Sequence, residues 1–160
     1  MPSKYAITVA IEGQCPTANE RDLEAVAAHA LGAEKVVDPV ALGIVLVGDA
    51  TIHRMNREYL AHDEPTDIIT FALEDDRFVT GPTGPGKLPR ELGEMYISYE
   101  RAAAQSADWG SDPEREIRFL VVHGVLHLLG WDDATTEGRE RMLARQDEIL
   151  ADWTPRREAR

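Results

Sequence analysis

The run from Ile117 to Leu129 constrains this chain more than any other segment, because it is long enough for a helix and apolar on most sides. Such a helix belongs at the centre of a fold, with other elements packed around it. Its start is marked by Pro113 at the first helical position and by Ser111 with Glu114, which read as a capping box. Its end is marked by Gly130.

Two histidines interrupt the apolar run. His123 and His127 are four residues apart and so share one helix face. Unpaired imidazoles in an apolar helix are costly, and a shared metal ion removes that cost. A pair of satisfied core histidines is the competing reading of the same spacing. Gly130 can end the helix and turn the chain so that Asp133 comes back towards the histidines. Two nitrogens and one oxygen, with a fourth position open to water, suit zinc. Asp132 and Asp133 together form an acidic pair at the helix end.

The zinc protease pattern His-Glu-x-x-His places its general base directly after the first histidine. Here that position is Gly124, so the peptidase base is missing. The spacing of the histidines, the glycine and a ligand three residues later still follows the metzincin-like arrangement.

The remaining chain reads as strands and helices without strict alternation. Tyr5 to Ile11 is rich in β-branched residues and forms a first strand. Thr17 with Glu20 reads as a capping box for a helix over Ala18 to Leu31. Ala41 to Val47 is nearly continuously apolar, as a strand covered on both faces should be, and Asp49 then caps a helix carrying Ile52, Met55, Tyr59 and Leu60. Further strands are expected at Asp67 to Ala72 and Leu92 to Ser98, separated by a breaker-rich surface loop around Gly81 to Gly86. Another helix should run from about Tyr99 to near Gly110, and a last amphipathic helix carries Met142, Leu143, Gln146, Ile149 and Leu150 before an Arg-rich, loose tail. The expected class is α+β: one domain over residues 1–160, with a single mixed sheet of about four strands against several helices and the histidine helix central.

A net charge of −12 argues against general, salt-driven attraction to nucleic acid or to anionic membranes, and leaves room for a small basic site. No run approaches the length of a membrane span, the N-terminus carries no signal-peptide core, and Cys15 is the only cysteine. A soluble cytoplasmic protein is expected.

The block His123-Gly124-Val125-Leu126-His127-Leu128-Leu129-Gly130-Trp131-Asp132-Asp133 resembles the YbeY endoribonuclease family, whose pattern is His-Gly-x-Leu-His-Leu-x-Gly-Tyr-Asp-His. Further matches are Asn56, Tyr59, Asp63, Pro65 to Phe71, Leu92 to Ser98, Arg115 to Ile117, and Met142 with Gln146 to Leu150. The resemblance covers most of the chain from about residue 45 onward. It implies a metal-dependent endoribonuclease directed at single-stranded RNA, acting in maturation and quality control of ribosomal RNA, with zinc at His123, His127 and Asp133. Two residues depart from the family. Asp133 stands where the family has a third histidine and is preferred as the ligand to Asp132, which occupies the family's aspartate position and reads as a turn residue or as one that orients a histidine. Leu60 stands where the family has an arginine important for activity. Arg57, three residues before Leu60 on the same helix face, is a substitute contact for phosphate, or else a plain surface arginine. No residue is assigned as the catalytic base. Two rival readings remain: a ribosome-maturation factor that binds a ribosomal protein, a GTPase or RNA with little catalysis, and a metal-dependent hydrolase of peptides or another substrate.

Overall fold

Residues 5–13, 15, 18–73 and 89–153 are described by a computed structural model. Along them run β1 (Tyr5–Ile11), α1 (Glu20–Ala33), β2 (Val40–Val47), α2 (Asp49–Leu60), β3 (Ile68–Ala72), β4 (Arg90–Ser98), α3 (Tyr99–Asp108), α4 (Pro113–Leu128) and α5 (Thr136–Ala151). The loop expected around Gly81 to Gly86, Thr17 of the first capping box and the tail after Trp153 lie outside the described residues.

The α+β class and the mixed four-stranded sheet are as expected. The strand order is β1-β2-β4-β3, with β1, β2 and β4 parallel and β3 antiparallel to β4. Period-two alternation sorts the strand residues between two faces. Leu42, Ile44, Leu46, Met95 and Ile97 join the main core with α1, α4 and α5. Val45, Val47, Ile69, Phe71 and Tyr96 point the other way and pack with Ile52 and Met55 of α2. The continuous apolar run of β2 is thus explained by cover on both faces.

In β4, Glu91 pairs with Ala41 and Gly93 with Leu42, which leaves Leu92 as the extra residue of a bulge. Gly93 has φ +134°, and a Cβ there would collide with the carbonyl oxygen of Phe71. Only glycine fits.

Central placement of α4 follows from its sequence. It packs against α1, α3, α5, β3 and β4. Ile117, Leu120, Val121, Val122, Val125 and Leu126 are buried along it, each contributing about 1.5–3 kcal/mol by leaving water. It comes close to the sheet at Gly124, where a Cβ would lie 2.6 Å from Met95 Sδ and 3.2 Å from Ile68 Cδ1.

Three helix starts differ from the sequence expectation. Asp112 caps α4, accepting from Arg115 N at 2.8 Å, and Ser111 does not. Asn19 caps α1. Gly48 is the cap position of α2, while Asp49 inside the first turn accepts hydrogen bonds from Ser98 and Arg101. In each case two good capping residues lie close together, and a tertiary partner or the local backbone selects between them.

Candidate metal centre

The last turn of α4 builds the site. The N–H of Gly130 donates to His127 O, and that of Trp131 to Leu126 O, which is a Schellman ending with Gly130 at φ +102°. The reversal brings residues 131–133 back beneath the histidines. Asp132 accepts a hydrogen bond from Ala134 N at 2.8 Å and so serves the turn. Asp133 is the carboxylate that reaches the imidazoles.

Asp133 Oδ2 lies 3.6 Å from His123 Nε2 and 3.4 Å from His127 Nε2. One ligand atom from each of the three residues falls within 4.8 Å of the others. An ion held tetrahedrally by bonds of about 2.0–2.2 Å separates its ligands by about 3.4 Å, so both histidine-carboxylate spacings are near those of a shared ion. The two rings stand nearly perpendicular, at 80° with centroids 4.5 Å apart, as two ligands converging on one point can. The side chains of His123 and His127 are 19% and 23% exposed and that of Asp133 38%, so the group is walled by protein yet reachable from solvent.

Each ring has its second nitrogen engaged. His127 Nδ1 lies 3.1 Å from Trp131 O, a carbonyl that can only accept, so Nδ1 carries the proton and Nε2 keeps its lone pair. His123 Nδ1 likewise donates to Gln146 Oε1 at 2.9 Å. Burial holds His123 below the usual imidazole range, outweighing the Gln146 hydrogen bond that acts in the opposite sense. A neutral imidazole with a fixed tautomer is the form that binds a metal. The donor set therefore fits a metal on its own chemistry.

A match to the Endoribonuclease YbeY family model spans residues 10–154. The chain belongs to the YbeY family. Relatives named Endoribonuclease YbeY include a protein of Chloroflexus aurantiacus, 40% identical over 149 residues covering 91% of this chain and 94% of its own length. Another, from Roseiflexus sp., is 47% identical over 120 residues, covering 73% and 72%. The solution structure of TM1509 from Thermotoga maritima superposes with a TM-score of 0.58 at 23% identity, over 92% of this chain and 91% of that one, which shows a shared fold.

In this YbeY chain Gly124 packs directly against Met95 of β4, so a glutamate at the peptidase position would need the space that Met95 fills. Gln146, read from the sequence only as part of the last helix and of the family match, is the site residue to which sequence reading gave no role. It shares the inward face of α5 with Met142 and Ile149, and a polar residue in that apolar stripe was the available signal. Arg57 lies elsewhere, in the last turn of α2, with its side chain 55% exposed and Nη1 4.0 Å from Asp63 Oδ1. Asp63 also meets His53 at 2.8 Å. Among the described residues no hydrogen bond or ion pair joins Arg57 to the histidine group. Leu60 is 44% exposed, so no apolar contact buries it fully. No helix among the described residues is long and apolar enough to cross a membrane.

Proposed function

We propose that this chain is a single-domain, zinc-dependent endoribonuclease that cuts single-stranded RNA during maturation and quality control of ribosomal RNA in the cytoplasm. The observation that carries the metal assignment is the convergence of His123 Nε2, His127 Nε2 and one oxygen of Asp133 at the end of α4. Family membership carries the ribonuclease activity.

In this reading His123, His127 and Asp133 hold zinc, a metal suited to two imidazoles and a carboxylate. When bound, the ion supplies Lewis acidity, polarising a phosphoryl group and acidifying water. Gln146 and the Trp131 carbonyl fix the two tautomers before the metal arrives. Asp133 brings a negative charge where the family pattern has neutral imidazole, which leaves the ion a weaker Lewis acid. Arg57 is the guanidinium assigned to a substrate phosphate, where it would stabilise charge that grows during cleavage.

A second reading is favoured by Leu60, half-exposed where the family arginine is expected. The chain would then act chiefly as a ribosome-maturation factor that binds RNA, a ribosomal protein or a GTPase. An unstructured RNA oligonucleotide separates the two. The enzyme reading expects cleavage that disappears in His123→Ala, whereas binding without cleavage by the zinc-loaded wild type supports the second.

A further inference from the structure

One to two turns before the histidines, α4 borders a pocket of about 300 Å³ lined by Trp109, Arg115, Glu116, Phe119 and Asp147. Phe119 is one helical turn from His123, and Asp147 follows Gln146, the residue that holds His123. Glu116 is seven residues from His123, about 10 Å along the helix axis and on nearly the same face. The pocket and the metal group thus border the same stretch of α4.

Glu116 is the unusual wall. It is 4% exposed as a residue, no side-chain hydrogen bond or ion pair reaches its carboxyl among the described residues, and its oxygens are not fully buried but open onto the pocket. A carboxyl on an otherwise buried residue, with no protein donor and its oxygens open only onto a pocket, is matched by the donors that a ligand would supply. Its two oxygens call for two donors side by side. Guanine is the RNA base whose Watson–Crick edge presents that pair, the ring N1–H and the exocyclic N2–H₂; adenine, cytosine and uracil each set a donor beside acceptors. Aromatic faces for stacking come from Phe119 and from Trp109, which is 65% exposed. Arg115 adds a guanidinium suited to phosphate.

We propose that this pocket is a guanine subsite that seats a nucleotide flanking the cut, with Glu116 accepting from N1–H and N2–H₂ and Trp109 stacking on the base. It rests on the ribonuclease reading above and adds a base preference to it. Nothing in it requires the metal.

Nucleosides test it without a phosphate that could reach the metal group. Guanosine, inosine, adenosine, cytidine and uridine are titrated against the full chain, with N-acetyl-arginine amide as a probe for a cationic protein side chain. Guanosine is expected to bind at least about tenfold tighter than the others, inosine included because it lacks N2–H₂. Glu116→Gln should remove that discrimination, and Trp109→Ala, which alters an exposed ring, should weaken guanosine binding. Equal binding of all five nucleosides, unchanged discrimination in Glu116→Gln, or a response to the arginine amide alone overturns the subsite. In parallel, cut sites are mapped on an unstructured RNA of mixed sequence. Guanine at a fixed offset from the cuts, lost in Glu116→Gln, supports the subsite, and cuts with no base bias overturn it while leaving the ribonuclease reading intact. Failure to cut any single strand counts against the ribonuclease reading, and the nucleoside titration still decides the pocket.

Discussion

His123 Nδ1 lies 2.9 Å from Oε1 of Gln146, a side chain on another helix that is wholly buried. A glutamine in that place acts on the metal group by holding one ring in one tautomer. Gln146→Leu should therefore weaken zinc affinity about 10- to 100-fold, and Gln146→Glu, which keeps an acceptor, should retain most of it. Competition against a chromophoric chelator measures both. Equal affinity in Gln146→Leu and the wild type would show that the contact does not orient the ring.

Gly124 sets how closely α4 approaches the sheet. Gly124→Ala drives a methyl group to 2.6 Å from Met95 Sδ and should destabilise the protein by about 1–3 kcal/mol. Met95→Val beside it removes the colliding atoms and should recover part of the loss, a coupling that denaturant unfolding of the two single variants and the double variant reads directly.

Much of this arrangement is legible in the sequence, and the rest is not for definable reasons. The spacing of His123 and His127, the stop at Gly130 and the return of Asp133 are local, and helix geometry carries them. The both-face burial of β2 is likewise visible in its apolar run. Strand order depends on pairings between distant segments, and the bulge at Leu92 has no marker beyond Gly93. Gln146 lies 23 residues from His123, so only the fold brings them together. Glu116 stood within a run that matched the family pattern, yet its lack of a partner is a property of the folded chain alone.

The burial of His123 has a pH signature. Its folded value lies below the ordinary imidazole value of about 6.5 that it takes in the unfolded chain. The unfolded state therefore binds more protons in that window, and stability of the metal-free protein rises with pH there. Stability from this group is fully present above about pH 6.5 and is lost as pH falls through the lower folded value. Urea unfolding of wild type and His123→Ala over this range should show the steeper slope in the wild type; parallel slopes would contradict the assignment.

Glu116 has the opposite sign. Burial, with the charge of Asp67 adding to it, raises its carboxyl above the ordinary range. A carboxyl raised in the folded state costs stability once ionised, a cost absent below the unfolded value and complete above the folded one. Glu116→Gln should then be more stable than the wild type at neutral pH, with the difference vanishing in acid. Thermal or urea unfolding at the two pH values checks it. A residue that costs stability is expected where it serves binding.

The most direct test of metal-dependent cleavage is the rate at which one preparation cuts an unstructured RNA oligonucleotide as purified, after chelation, and after return of one equivalent of zinc per chain. Cleavage should vanish on chelation and return with zinc, and His127→Ala should show no recovery. Undiminished cleavage by the stripped protein, or full recovery in His127→Ala, would contradict the assignment of His123, His127 and Asp133 as the metal centre on which activity depends.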